Sequence, residues 1–273
     1  MTWKTITAHI DIGSEAGRRA AFVYSLASNF GAEVRFITAA QPDSDLNTKP
    51  QSGLGEQSTM MDLQAIQEKQ RQLKARAQEH RPNSVEFNWT SEIANPTAVM
   101  LNRICGCDVA IIFPPEPWQS FDERRTIDVG RFLVSAGRPV FLPSALMRPC
   151  SGEVVLIAWK NTKEARHAVK DAFPLLVKAR DVVVLSVAEE GEKDGSVEDV
   201  IRCLIAHGIP ARLMSEWRPT LTDGATITTV ARSIGADVIV AGAYGHGRIR
   251  EWLFGGVTRW LLEDNSFNRL FSN

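Results

Sequence analysis

Five glycines in the last third of the chain form the pattern best able to do chemistry. A strand-like run, Asp237 to Ala241 (DVIVA), leads into Gly242, and Gly245, Gly247, Gly255 and Gly256 follow, so that the order is G-x2-G-x9-G-G. A glycine turn after a buried strand can aim several backbone N–H groups at one point. Without a Cβ, the main chain also comes close to a phosphate. A helix opening at Gly255–Gly256 adds its unsatisfied N–H groups and the positive end of its dipole. Arg248, Arg250 and Arg259 lie in the same segment, so the chemistry is that of holding an anion. Glycines after a strand also serve as plain turn residues, and His246 reads equally as a phosphate donor or as an exposed loop histidine. What sets the pattern apart is the nine-residue separation of its clusters within a strand–helix unit.

Other reactive constellations are missing from the sequence. There is no GxSxG elbow, no GxxxxGK[ST] loop, no HExxH and no pyrophosphatase-type SGGxDS loop. His9, His80, His167 and His207 are scattered. Cys105, Cys107, Cys150 and Cys203 form neither a CxxC pair nor a metal-ligand spacing, so reduced thiols are expected. Cys105 and Cys107 read as turn and core residues. Trp252 and Trp260, eight apart, read as packing residues on one helical face, with base stacking as the lesser alternative.

The glycine loop needs a scaffold, and an internal repeat supplies one. Thr5-ITAHIDIGSEAGRRAA and Val154-VLIAWKNTKEARHAV each join an apolar strand to a helix through a polar turn. Asp11 aligns with Lys160 and Val34 with Val183 at one spacing. Gly106-CDVAIIF aligns with Gly235-ADVIVAG at a spacing shorter by 20 residues, the length of a Pro/Ser/Gly/Asn/Asp-rich stretch from Gln41 to about Met60. That stretch is expected to be an inserted surface loop. The repeat predicts two homologous halves, residues 1–148 and 149–273. The first has strands near 4–10, 32–39, 85–90, 108–113 and 139–142, with helices near 14–30, 60–80, 96–105 and 126–136. The second has strands near 153–159, 181–187, 211–217 and 237–242, with helices near 163–179, 196–207, 223–235 and 255–264. Runs such as VVVLSV and DVIVAG are apolar almost throughout, as in strands covered on both faces. Strand–helix alternation then gives an α/β fold of two tandem doubly wound, mostly parallel sheets. Ligands of such sheets sit beyond the carboxyl ends of the strands. The final stretch, Asp264-NSFNRLFSN, is polar and short, so the last strand of the second half is expected to be stunted or absent. The charged helix near 60–80 places Leu63, Ile66, Leu73 and Ala77 on its inner face.

Composition bounds the function. Hydrophobic residues make up 44% of the 273, enough for packed cores, and the net charge of -1 argues against a nucleic-acid or anionic-membrane binder. No apolar run reaches the length that spans a bilayer. No apolar stretch follows a basic N-terminus, so a cytoplasmic protein is expected.

The run GAYGHGRIREWLFGGVTRWLL, with the repeat around it, resembles the universal stress protein family in its tandem bacterial form, and the resemblance covers essentially the whole chain. It implies a Rossmann-like, five-stranded domain of the adenine nucleotide alpha hydrolase type in each half. In the nucleotide-binding branch it implies ATP or a related adenine nucleotide, with or without magnesium. Carried over by position, Ala158, Trp159, Lys160 and Val187 would hold adenine and ribose. Gly242, Gly245, Gly247, Gly255, Gly256 and Val257, with His246 and Arg248, would hold the phosphates. Three positions depart from the family: Lys160 stands where an Asp is usual, Gly256 where Ser or Thr is frequent, and the last strand is short. Lysine cannot accept a hydrogen bond as a carboxylate does.

The first half keeps Asp11 but lacks the loop. Pro114, Pro115 and Pro117 remove backbone donors, and Glu116, Asp122 and Glu123 would repel an anion. It is expected to be a degenerate partner in an intramolecular pseudo-dimer, with Asp11 as a turn or N-cap residue. The expected function is a non-enzymatic stress sensor or regulator that binds an adenine nucleotide in its second half. A protein partner and a homodimer are left open, and a nucleotide-free scaffold is the alternative.

Overall fold

The computed structural model describes residues 2–43, 53–114, 121–187, 195–216, 221–243 and 256–273. Contacts divide the chain into two units, Trp3–Ala136 and a second that runs from Gly137 to Asn273.

In the first unit, β1 (Thr5–His9), β2 (Glu33–Ala39), β3 (Phe87–Glu92) and β4 (Val109–Ile111) form a parallel sheet in the order β3-β2-β1-β4. The crossovers are α1 (Ala16–Phe30), α2 (Gly53–Glu79) and α3 (Pro96–Arg103), and α4 (Val129–Ser135) follows β4. Helix α1 ends where Gly31 takes a left-handed φ of 62°, a conformation glycine adopts without steric cost. Helix α2 buries Ile66, Leu73 and Ala77 at helical spacing, and Gln70 on the same stripe donates to the Glu92 carbonyl. This helix begins at Gly53, so part of the expected inserted loop is helical. Leu54, Glu56 and Gln57 are good helix formers, and adding residues to an existing helix is easier than starting one. The rest of that insertion, 44–52, lies outside the described residues.

The second unit has strand order β5-β10-β9-β6-β7-β8. These are β5 (Val140–Leu142), β6 (Val154–Trp159), β7 (Asp181–Val187), β8 (Ala211–Glu216), β9 (Val238–Gly242) and β10 (Asn268–Ser272). All pairs are parallel except β5 with β10. The helices are α5 (Lys163–Leu176), α6 (Ser196–Ala206), α7 (Asp223–Ile234) and α8 (Gly256–Glu263). No described helix is long and apolar enough to cross a membrane.

The expected stunted final strand is corrected: β10 is five residues long, buried throughout, and pairs along its whole length with β9. Its polar residues hid it. Asn268 donates to the Asp237 carbonyl and accepts from Ser144 N–H. Arg269 is buried yet donates to the carbonyls of Leu261, Asp264 and Pro143. Burial pushes its guanidinium down to about 10, against the pull of Asp264. Buried polar groups persist when main-chain acceptors satisfy them. The β5–β10 pairing also explains why the contact division falls at Ala136–Gly137 while the sequence repeat turns over near Met147: β5 closes the edge of β10.

The repeat has a physical content in the two units. Asp108 Oδ2 accepts from the N–H groups of Lys4 and Thr5 at 2.6 and 2.9 Å, tying the start of β1 to β4. Its repeat partner, Asp237, accepts from Val154 N–H at 3.0 Å and from Ser151 Oγ at 2.9 Å, tying β6 to β9.

Candidate functional site

In the second unit the carboxyl ends of β6 and β9 lie side by side, with Ala158 paired to Ala241. After β6 the chain turns through exposed Lys160, and Thr162 caps α5 by accepting from Ala165 N–H at 3.2 Å. Such a cap satisfies one of the free donors of a helix start. Trp159 is buried and donates from Nε1 to Ser196 Oγ at 3.0 Å, which fixes the first residue of α6 against the end of β6. Val187 ends β7 and is half-buried.

Gly242 ends β9 for a steric reason. A Cβ there would meet Ala165 N at 2.6 Å and the Glu164 carbonyl carbon at 2.7 Å, so only glycine lets the first turn of α5 come down onto β9. Gly256, the first residue of α8, is exposed, and a Cβ there would meet no atom of the described residues within 4 Å. Val257 beside it is half-buried. The structure thus places both roots of the glycine loop, at the ends of β9 and α8. Gly245, His246, Gly247, Arg248 and Gly255 lie outside the described residues.

Sequence reasoning missed Glu164. It sits in the first turn of α5, only 5% exposed. Its Oε1 is 3.5 Å from Lys163 Nζ, and its Oε2 is buried with no hydrogen-bond partner among the described residues. A carboxylate near a helix N-terminus is favoured by the dipole, but a buried acceptor left unmatched is costly. The available signal was an acidic residue in the turn just after the strand that bears Lys160.

The same position in the first unit is built differently. Asp11 is the turn residue of the two expected alternatives, its carbonyl accepting from Ser14 N–H at 3.1 Å and from Ser14 Oγ at 2.7 Å, and not an N-cap: α1 starts without a side-chain cap. Its Oδ2 accepts from Arg19 Nη1 at 2.5 Å, and its Oδ1 lies 3.3 Å from His9 Nδ1, all three residues being buried. Arg19 also donates to the Pro114 carbonyl at 3.3 Å and lies over the Phe113 ring at 5.0 Å. The turn that follows β1 therefore folds its carboxylate onto a cation eight residues on. Burial pushes the Asp11 carboxyl up, but the bonds and charges of His9 and Arg19 outweigh it and hold it below its ordinary value. At the repeat spacings, His9, Asp11, Arg19 and Phe113 correspond to Ala158, Lys160, Ala168 and Gly242. Three large side chains of the first unit's cluster are replaced by two alanines and a glycine, and its acid by a base. Among the described residues, no group of three His, Cys, Asp or Glu side chains is placed to hold a metal ion.

No protein-family model matches the chain, and no curated protein does. Solved structures do. A universal stress protein from Archaeoglobus fulgidus DSM 4304 superposes with a TM-score of 0.67 at 15% identity, over 98% of each chain. A functionally unknown protein from Pseudomonas aeruginosa PAO1 gives 0.56 at 16% identity, over 99% of this chain and 92% of the other. The cytoplasmic domain of a prokaryotic cation chloride cotransporter gives 0.51 at 10% identity, over 98% and 94%. One fold thus serves unrelated settings. Over its full length, this chain has the tandem fold of the universal stress proteins.

Proposed function

We propose that the chain is a tandem universal stress protein that binds ATP or a related adenine nucleotide in its second half and acts as a sensor or regulator, without catalysing a reaction. The observation that carries this reading is the paired glycine roots: Gly242 at the end of β9 and Gly256 at the open start of α8 bracket a segment of pattern G-x2-G-x9-G. Backbone N–H groups there, with Arg248 and His246, would hold the phosphates. Ala158, Lys160 and Val187 would flank the base and ribose. Lys160 cannot accept a hydrogen bond, whereas in the next turn Glu164 Oε2 is a buried acceptor without a partner among the described residues. An acceptor of that kind suits a ribose hydroxyl or the adenine amine. Among the described residues, the second unit has no counterpart of the arginine-centred cluster that occupies the corresponding strand ends of the first.

The test is calorimetric and thermal-shift titration with ATP, ADP and AMP, with Gly245→Asp as control. Saturable stabilisation that the substitution abolishes supports the reading. A flat response at millimolar ATP overturns it. The alternative is a scaffold acting through protein contacts; Lys160 in place of a carboxylate favours that reading, and a flat response selects it.

A further inference from the structure

A polar cavity of about 280 Å³ lies at the carboxyl end of β10. Its wall on α5 carries His167, Lys170 and Asp171, spaced three and four residues apart and so on one helical face. Arg138, just before β5, reaches it because Val140 pairs antiparallel with Phe271, which brings the start of β5 beside the end of β10. Ser272 lines the cavity from β10. It is 4% exposed, and its buried Oγ has no hydrogen-bond partner among the described residues. A buried hydroxyl left without a partner destabilises the fold unless a ligand or solvent completes it. His167 Nδ1 is 2.9 Å from the Asn273 main-chain oxygen, which leaves Nε2 as the ring's other polar atom.

We propose that this cavity, built by Arg138, His167, Lys170 and Ser272, is a binding site for a small phosphate anion, distinct from the glycine loop. Two permanent cations from separate elements, one a planar guanidinium suited to oxyanions, converge with a hydroxyl donor. Asp171 is the acidic side chain of the lining, which Asn273 completes, so a monophosphate is favoured over a larger and more highly charged polyphosphate. The volume falls just under the roughly 300–1,000 Å³ of pockets for drug-sized ligands, which restricts the guest to inorganic phosphate or a small phosphomonoester.

The experiment is calorimetric titration of the full chain with inorganic phosphate, glycerol phosphate and, as a planar anion, acetate. The expected result is saturable binding of the phosphates and not of acetate. Lys170→Gln, at an exposed position, should weaken it about tenfold or more, and Ser272→Ala by several-fold. Gly245→Asp should leave it unchanged. Tighter binding of glycerol phosphate than of phosphate supports the site with a phosphomonoester as its guest, and the reverse order supports it with the free ion. Absence of saturable binding overturns the proposal. So does unaltered affinity in both Lys170→Gln and Ser272→Ala, and so does loss of binding in Gly245→Asp, which would assign the phosphate to the glycine loop. Failure of ATP binding with retained phosphate binding would overturn the nucleotide reading and leave this one standing.

Discussion

The carboxyl ends of β1 and β4 in the first unit and of β6 and β9 in the second share one repeated sequence pattern, yet they are finished in opposite ways. In the first, Asp11, His9 and Arg19 close on one another beside Phe113. In the second, the corresponding residues are small or basic, and the helix itself descends onto Gly242. One copy has converted its strand ends into a buried polar core. The other has a glycine-rooted loop pattern and a carboxylate oxygen without a hydrogen-bond partner among the described residues. A repeat thus transmits a topology without transmitting the chemistry at its strand ends.

The largest effect expected from breaking this contrast is at Arg19. Arg19→Ala leaves the Asp11 carboxylate buried without its cation and should cost about 3–5 kcal/mol in urea unfolding. The pair Asp11→Asn with Arg19→Met should recover most of that loss, since replacing both members of a buried pair is far milder than removing one. If Arg19→Ala is neutral, the cluster has no structural role. Next comes the second unit. Gly242→Ala forces a methyl against the backbone of Glu164 and Ala165 and should cost about 1–3 kcal/mol, while Gly256→Ala, in open space at a helix start, should stay within about 0.5–1 kcal/mol of the parent. Equal effects at the two glycines would contradict the steric account.

A smaller contrast is expected in acid. The Asp11 carboxyl is held below its ordinary value of 3.8. Its contribution is therefore full above about pH 4 and is lost as pH falls through the lower folded value, where the folded state must take up a proton it resists. Stability measured from pH 5 to 2 should fall less steeply in Asp11→Asn than in the parent. The smallest effect is on the thiols. Cys105 and Cys203 are exposed and should be alkylated in the folded protein at pH 8. Cys107 is buried, and burial, aided by Asp237, pushes the Cys150 thiol up to about 12, so both should react only on unfolding. Mass spectrometry after timed labelling counts them.

Most elements were legible because apolar runs and glycine stops announce them: Val182–Leu185 can only be a covered strand, and Gly235, like Gly31, ends a helix in a left-handed conformation. β10 was not, because Asn268 and Arg269 look like surface residues until their main-chain acceptors, from Asp264 nearby to Pro143 far along the chain, are known. The Arg19 cluster escaped for the same reason. Nothing local tells a strand-end aspartate that caps a helix from one that meets an arginine two turns on. At the candidate site, the glycines were readable as a pattern, but the reason for Gly242 was a helix approaching from α5. Glu164 was hidden by its ordinary place in a first turn, where an acid is expected on electrostatic grounds alone.

The register of β5 against β10 has a consequence for how the protein can be divided. Leu142, Phe141 and Val140 pair with Arg269, Leu270 and Phe271, and the carbonyl of Pro143 is one of the acceptors that Arg269 uses. A fragment beginning at the repeat boundary near residue 149 would keep every strand it encodes and still present a raw edge on β10: unpaired N–H and C=O groups and a buried guanidinium short of an acceptor. Such an edge recruits other chains. A fragment beginning at Gly137 would keep β5 on β10 and the Pro143 acceptor with it. The unit of the sequence repeat and the unit of contacts are therefore offset by one strand, and a truncation series across residues 137–149 should lose solubility once β5 is removed.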